Sequence, residues 1–118
     1  QMLKVEGEPL YERVARLAVD WNRGGQLGLV VGATYPRELA RVRELAREMP
    51  LLVPGIGAQG GDVQASVRAG QTADGTGIVV NSSRAIIYAS GKDDFAAAAS
   101  RAAQKVRDEI NRYRLATA

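Results

Sequence analysis

Two short polar stretches hold the residues with the most evident chemistry, and each follows an apolar run. Gly55, Gly57 and Gly60 have the G-x-G-x-x-G spacing within PGIGAQGGD. Glycines at that spacing let backbone amides approach a phosphate closely where a helix begins. The second stretch, Asn81 to Arg84, combines small polar side chains with one guanidinium that can grip two phosphate oxygens. Together the two stretches predict a phosphate-binding site.

Each stretch also has another interpretation. The glycine spacing fits a dinucleotide site, or a tight turn that binds nothing. A dinucleotide site needs an acid at the end of the next strand, but Asp74 precedes that strand and Asn81 and Ser82 end it. The plain turn remains an alternative. Arg84 could simply be solvated, although a cation is unfavourable at the positive end of a helix dipole.

Three apolar runs must position these stretches. They span Leu27–Thr34, Leu51–Gly57 and Gly77–Ser83, and begin at a near-constant spacing along the chain. Such runs are expected in parallel strands that are buried on both faces and joined by right-handed helical crossovers. Because ligands gather at the carboxyl ends of parallel strands, the stretch Gly32 to Tyr35 also belongs among the candidates.

Helical spacing of apolar residues, with proline, glycine and aspartate at the ends, predicts the helices. They span Pro9–Arg23, Pro36 to about Met49, Asp62–Ala69 with Gly70 as its C-cap, Ser83–Tyr88, and a last helix from Asp93 or Asp94 to about Arg114. Three apolar stripes are expected to be buried: Leu10, Val14, Leu17 and Trp21; Leu39, Val42, Leu45 and Met49; and Phe95, Ala99, Ala102, Val106, Ile110 and Tyr113. The charged residues of the second helix, Arg37, Glu38, Arg41, Arg43, Glu44 and Arg47, are expected to face water.

The 118 residues, 46% apolar and 25% charged, predict a single α/β domain with a parallel sheet, either doubly wound or barrel-like. A parallel barrel needs eight strands and about 250 residues, so as a barrel this chain would be less than half of one. Two strand edges and a sheet face would then lack partners. We therefore expect the isolated chain to associate with a second copy or with the missing part, or to aggregate.

Composition excludes several classes of function. The chain has no cysteine and no histidine, which excludes disulfides, thiolate or histidine metal sites, cysteine nucleophiles and Ser-His-Asp triads. The lack of cysteine favours a reducing, cytoplasmic compartment. The net charge of +3 comes without a basic block, which disfavours nucleic acid as a partner. No apolar run reaches the roughly 20 residues of a membrane span. The polar opening lacks a secretory leader and an initiator, which suggests a piece of a longer chain.

These motifs resemble one enzyme family. The runs VGATYPRELARVRELAREMPLLVPGIGAQGGD, ADGTGIVVNSSRAIIYAS and DEINRYR are similar to the C-terminal part of orotidine 5'-monophosphate decarboxylases, especially the longer bacterial subgroup. The resemblance implies that residues 1–118 are one partial domain, strands six to eight of a (β/α)8 TIM barrel. It implies a homodimer that converts orotidine monophosphate to uridine monophosphate and carbon dioxide, in pyrimidine synthesis, without metal or organic cofactor.

The resemblance also assigns residues. Gln59 matches the glutamine of the phosphate loop and Arg84 the arginine after the last strand, and backbone amides near Gly60, Gly61 and Ser83 would complete the phosphate site. No catalytic residue is expected in this chain, because the family's Asp-x-Lys-x-x-Asp motif is absent from it. Its lysines, Lys4, Lys92 and Lys105, all lie outside the predicted strand ends. The isolated chain is therefore expected to be inactive, and a non-catalytic phosphate-binding or self-assembling module is the alternative.

Overall fold

The computed structural model describes residues 3–56 and 62–114. Within these ranges the strands are β1 (Lys4–Val5), β2 (Glu8–Pro9), β3 (Leu29–Val30), β4 (Leu51–Pro54) and β5 (Ile78–Asn81). The helices are α1 (Leu10–Trp21), α2 (Pro36–Ala46), α3 (Val63–Gly70), α4 (Ser83–Ile87) and α5 (Phe95–Tyr113). The predicted alternation of strand and helix is confirmed, with shorter strands than the apolar runs suggested.

The first two strands form an antiparallel hairpin that the sequence analysis did not predict. Its turn has two residues with positive φ, Glu6 at 54° and Gly7 at 86°. Two-residue hairpin turns of this kind require positive φ at both positions, which an acidic residue followed by glycine tolerates. The hairpin leads directly into α1, and ion pairs join Arg13 to Glu6 and Arg16 to Glu8.

The other three strands form a parallel sheet in the order β3-β4-β5. Leu29 lies opposite Leu51, which lies opposite Ile78. Hydrogen bonds extend the pairing beyond β3, because the amide of Ala33 donates to the carbonyl of Pro54 at 3.0 Å. The sheet therefore positions the carboxyl ends of all three apolar runs side by side, as predicted.

The described residues cover the strands on one face only, which corrects the expectation that both faces are buried. Leu51 and Val53 are fully buried beneath the helices. On the opposite face, Val30, Leu52 and Val79 form one row across the three strands and are 70%, 37% and 59% exposed. An apolar row of this kind is typical of a barrel interior, whose other walls are not among the described residues.

Helix α1 turns a different face inward from the one expected. The predicted stripe of Leu10, Val14, Leu17 and Trp21 is exposed, with Trp21 at 69%. The helix instead buries Ala15 and Ala18. Small side chains permit a close approach to α2, where Arg41 pairs with Glu12 at 2.9 Å. The apolar stripe consequently has no cover within the described part of the chain.

Helix α2 confirms most of its predicted pattern. Leu39, Val42 and Met49 are buried, whereas Leu45 is half-buried. Arg43 corrects the expectation that the charged residues all face water, because it is only 8% exposed. Periodicity placed it on the polar side, yet backbone carbonyls lie within reach of its guanidinium and compensate the cost of burial.

The remaining helix ends differ from expectation in detail. Gly70 is the last residue of α3 rather than its cap, and Gln71 follows in extended conformation. Asp94 precedes α5 without a capping hydrogen bond from its side chain, which instead accepts from Ser90 Oγ at 2.6 Å. Phe95 is exposed rather than part of the buried stripe, whereas Ala98 is buried. The other stripe residues of α5 are half-buried.

Candidate phosphate-binding site

The carboxyl ends of β4 and β5 meet in a cleft. Pro54 and Asn81 end the two strands and lie opposite each other in the sheet. The cleft has a volume of about 380 Å³. Its walls are formed by residues 54–56 on one side and residues 81–85 on the other. The described start of the glycine-rich stretch, residues 54–56, thus meets the stretch that begins at Asn81, where parallel sheets bind ligands.

Backbone geometry explains how the chain turns at this cleft. Gly55 has φ of 89°, a conformation that L side chains rarely adopt, so glycine directly after β4 is a requirement of the turn. On the other side, Ser82 directly precedes α4, and its side chain makes no capping hydrogen bond in the described structure. The hydroxyl of Ser82 is therefore not engaged by the helix that follows it.

Ser83 and Arg84 both have exposed side chains at the start of α4. Among the described residues, the Arg84 guanidinium has neither a hydrogen bond nor an ion pair. Arg13, Arg16, Arg41 and Arg101, by contrast, pair with carboxylates. A guanidinium beside a cleft with hydroxyl donors is well suited to an anion with several oxygens.

Three of the five predicted site residues, Gln59, Gly60 and Gly61, lie outside the described residues. The ends of the segment that contains them are placed. Ile56 is buried and lines the cleft, and Asp62 begins α3 by accepting a hydrogen bond of 2.9 Å from the amide of Ala65. The side chain of Asp62 therefore stabilises the start of α3 directly after the glycine-rich sequence.

The third candidate stretch borders a different groove. Gly32 and Tyr35 line a groove of about 490 Å³ at the free edge of β3, together with Leu10 and Val14 of α1. This groove is larger than the cleft at β4 and β5, but its walls are mainly apolar. The smaller cleft is the better candidate for a phosphate site, because hydroxyl and guanidinium groups line it.

At the opposite ends of the strands, Arg43 holds the sheet in register. Its Nη2 donates to the carbonyl of Gly77, and its Nη1 to the carbonyl of Met49, each at 2.7 Å. Gly77 directly precedes β5, and Met49 lies two residues before the start of β4. The same guanidinium donates to the carbonyls of Gly70 at 2.7 Å and Arg47 at 2.5 Å. Burial lowers the pKa of Arg43, which still stays protonated.

The turn before β5 is fixed by a second polar cluster. The hydroxyls of Thr72 and Thr76 both donate to Asp74 Oδ1. These hydrogen bonds, that of Thr72 first, hold the pKa of Asp74 below its usual value. Arg114, after α5, donates through Nε to the carbonyl of Gly75 at 2.7 Å. Neither this cluster nor the burial of Arg43 was predicted from the sequence. The cluster belongs to a local turn and Arg43 binds backbone carbonyls, and neither arrangement has a sequence motif.

The described residues include neither a helix that could span a membrane nor a cluster that could hold a metal ion. Within residues 3–56 and 62–114, no helix combines the length and the apolar character needed to cross a membrane. The same residues include no group of three or more acidic, histidine or cysteine side chains that could hold a metal ion.

Comparisons with known proteins identify relatives along nearly the whole chain. No protein-family profile matches it. Curated orotidine 5'-phosphate decarboxylases do: the protein of Cupriavidus taiwanensis is 63% identical and that of an Azoarcus species 67% identical, each over 97% of this chain. The chain spans only 42% and 43% of the length of these two relatives. The matched part is their C-terminal part.

Solved structures show the same relationship. The OMP decarboxylase of Leishmania donovani matches 94% of this chain and 42% of its own, with 43% identity and a TM-score of 0.74. The UMP synthase of the same organism matches 93% of this chain and 24% of its own, with 46% identity and a TM-score of 0.76.

The parallel strand-helix units, open on one face and at both edges, define the C-terminal part of a (β/α)8 barrel. The ligand cleft lies at the carboxyl ends of its strands, as in barrel enzymes generally. By sequence and by fold, the chain is similar to the C-terminal part of orotidine 5'-phosphate decarboxylases.

Proposed function

We propose that this chain is the phosphate-binding part of an orotidine 5'-phosphate decarboxylase. The complete enzyme would convert orotidine 5'-monophosphate to uridine 5'-monophosphate and carbon dioxide, in pyrimidine biosynthesis. The main support is identity of 60–67% to curated decarboxylases, combined with a cleft of matching chemistry at the strand ends. The proposed location is the reducing cytoplasm, which suits a chain without cysteine.

The proposed phosphate site comprises Gln59, Gly60, Gly61, Ser83 and Arg84. Arg84 would supply the positive charge, because its guanidinium lies beside the cleft and has no partner among the described residues. Ser83 would contribute its backbone amide at the start of α4. The glycine-rich segment would add amides and the Gln59 side chain, as the resemblance implies. Charge-assisted hydrogen bonds of this kind are worth about 1.5–3 kcal/mol each.

Decarboxylation needs a group that this chain does not place near the cleft. The bond between the pyrimidine ring and its carboxylate breaks, carbon dioxide leaves, and the ring carbon that keeps the electron pair takes a proton. In the family a lysine of the Asp-x-Lys-x-x-Asp motif delivers that proton. Lys4, Lys92 and Lys105 lie in β1, in the loop before α5 and on the exposed side of α5. We therefore propose that the isolated chain is inactive.

The partners follow from the same reasoning. The proposed ligands are orotidine and uridine 5'-monophosphate, and the proposed protein partner is the missing N-terminal part of the barrel or a second copy of the chain in a homo-oligomer. Neither nucleic acid nor a membrane is proposed as a partner. The exposed stripe of α1 favours one alternative, a phosphate-binding module that assembles with itself and catalyses nothing.

The binding of uridine 5'-monophosphate to the chain tests the site. Titration calorimetry or NMR would compare the nucleotide with uridine, for the wild-type chain and for Arg84→Ala. We expect Arg84→Ala to cost about 2–3 kcal/mol of nucleotide affinity, the scale for losing charge-assisted contacts. Uridine should bind both proteins equally weakly.

A matched control is Arg37→Ala, which removes another exposed arginine in the first turn of α2. Nucleotide affinity should remain that of the wild type. The site assignment is wrong if Arg84→Ala binds the nucleotide as tightly as the wild type, or if both arginine variants weaken binding equally. The second outcome would indicate general attraction to a basic protein.

A further inference from the structure

One polar side chain lies on the open face of the parallel sheet, the face that the described helices leave uncovered. Successive residues of a strand alternate between the two faces. The row of Val30, Leu52 and Val79 is therefore followed on the same face, two residues further along β4 and β5, by Pro54 and Asn81. Of these five residues only Asn81 is polar, and it ends β5 at the cleft.

The carboxamide of Asn81 makes no hydrogen bond within residues 3–56 and 62–114. The other two asparagines of the chain differ in this respect. Asn22 Oδ1 accepts from the amide of Leu27 at 2.9 Å, and Asn111 Oδ1 accepts from Arg114 Nη1 at 3.2 Å. A carboxamide beside apolar neighbours is unfavourable unless a partner satisfies it. Asn81 is exposed, so its donors and its acceptor are available to a ligand in the cleft.

Asn81 lies on the sheet side of the proposed phosphate contacts. Ser83 and Arg84 belong to α4, beyond the end of the strand, whereas Asn81 still pairs with Pro54 within the sheet. All four residues line the cleft. A phosphate held by Ser83 and Arg84 would therefore have Asn81 on its side toward the open face. The group bonded to that phosphate would extend past Asn81.

The chemistry of a carboxamide favours a neutral group over the phosphate itself. Its nitrogen donates hydrogen bonds and its oxygen accepts them. An ionised phosphate oxygen only accepts, so it would leave the carboxamide oxygen of Asn81 without a donor. A sugar hydroxyl both donates and accepts, which suits both halves of the carboxamide. In orotidine and uridine 5'-monophosphate the pentose is the group bonded to the phosphate.

We propose that Asn81 binds the pentose of the nucleotide, with its carboxamide hydrogen-bonded to a sugar hydroxyl. Arg84 then supplies affinity for the phosphate, and Asn81 makes the site select a phosphorylated pentose over free phosphate. The inference rests on the proposed function for the identity of the ligand. It goes further in assigning to Asn81 a part of the ligand that the proposed phosphate contacts do not reach.

The experiment measures the binding of three compounds to the 118-residue chain by titration calorimetry: inorganic phosphate, ribose 5-phosphate and uridine 5'-monophosphate. Asn81→Leu removes the carboxamide and keeps a side chain of similar size beside the apolar Leu52 and Val79. We expect it to weaken the binding of both pentose phosphates by about 3–10-fold, the scale of one hydrogen bond between neutral groups. The affinity for inorganic phosphate should stay that of the wild type.

Two further variants control for indirect effects. Asn81→Ala removes the same carboxamide without adding bulk, and it should give the same pattern as Asn81→Leu. Asn111→Leu makes the same chemical change at an exposed asparagine in the last turn of α5, outside the cleft. It should leave the affinity for all three compounds unchanged. Circular dichroism and thermal unfolding check that each variant folds.

Equal weakening of all three compounds by the Asn81 variants would overturn the inference, because Asn81 would then act on the phosphate contacts or on the fold. An unchanged affinity for ribose 5-phosphate would also overturn it, and a loss for uridine 5'-monophosphate alone would indicate a contact with the base instead. In these cases Arg84→Ala would still weaken every compound, and the proposed function would stand. If the wild-type chain binds none of the three compounds, the proposed function and this inference are both wrong.

Discussion

The guanidinium of Arg43 donates a hydrogen bond of 2.7 Å to the carbonyl of Gly77, across 34 residues of sequence. The carbonyl immediately precedes β5, and the same side chain also reaches Met49 just before β4. One buried cation therefore connects the amino ends of the two strands whose carboxyl ends form the candidate phosphate-binding cleft. It contributes to the cleft by fixing the register of its walls.

Replacement of Arg43 by methionine should destabilise the fold strongly. Methionine fills similar space but leaves the carbonyls of Gly70, Arg47 and Met49 without their donor, whereas that of Gly77 still accepts from the amide of Leu51. Buried unsatisfied polar groups cost about 1–3 kcal/mol each. Because water will reach some of these groups, we expect a loss of about 3–5 kcal/mol in the free energy of unfolding. Urea denaturation of Arg43→Met measures it. The exposed Arg37→Met should change stability by about 0.5 kcal/mol or less, and a similarly small effect for Arg43→Met would refute the proposed role.

Gly77 should not tolerate a side chain. Its φ is 76°, and a Cβ atom there would lie 2.6 Å from Thr72 Cγ2 and 3.1 Å from Arg43 Nη2. Gly77→Ala should therefore cost about 3 kcal/mol, from backbone strain and overpacking together. Gly25 provides the matched control, because its φ of 67° is similar but no atom lies within 4 Å of the added Cβ. Gly25→Ala should cost about 1 kcal/mol. Thermal unfolding of both variants compares them, and equal costs would show that packing around Gly77 is irrelevant.

Asp74 should make stability depend on acid pH. Hydrogen bonds from Thr72 and Thr76 hold its pKa in the folded protein below the usual value of 3.8. A carboxyl with a lowered pKa stabilises the fold above that usual value, and this contribution is lost as the pH falls through the lowered pKa. The pKa of Asp94 is lowered in the same way, mainly by the hydrogen bond from Ser90. The pH dependence of the stability of the wild type therefore does not report on Asp74 alone. We expect Asp74→Asn to be less stable than the wild type at pH 7, with the difference shrinking below about pH 4. A difference that is constant from pH 7 to pH 2 would contradict the assignment.

Much of the architecture could be predicted from the sequence, because apolar runs and helical stripes report directly on local structure. The order of elements, the parallel sheet and the meeting of Pro54 with Asn81 all follow from that pattern. The hairpin at residues 4–9 could not be predicted from it, since its two-residue strands are too short to show periodicity.

Two errors have a common physical origin. A stripe such as that of α1 indicates that a face will be covered, but it does not say by what. In this chain α1 buries Ala15 and Ala18, and its apolar stripe has no cover among the described residues. Arg43 is the opposite case, a residue expected to be exposed that is buried. The helical period predicts that a charged side chain faces water, and it gives no information on the four backbone carbonyls that contact this guanidinium.

The position of Ser83 and Arg84 at a cleft could be predicted, whereas their binding of phosphate stays a prediction. Ser83 and Arg84 lie at the cleft because a parallel sheet brings successive strand ends together. Gln59, Gly60 and Gly61 remain predictions, since they fall outside the described residues. The free guanidinium of Arg84 among those residues could not be foreseen, because the partners of a side chain depend on tertiary packing.

The proposed function is tested by the release of carbon dioxide from orotidine 5'-monophosphate when the chain is mixed with a polypeptide that carries the part of the Cupriavidus taiwanensis relative before the match. We expect turnover by the mixture and none by either polypeptide alone. We also expect Arg84→Ala to lower kcat/KM of the mixture by about 30–150-fold, which corresponds to lost phosphate contacts, while Arg37→Ala leaves it unchanged. Turnover by the 118-residue chain alone, or a kcat/KM of the mixture that Arg84→Ala leaves unchanged, would contradict the proposal.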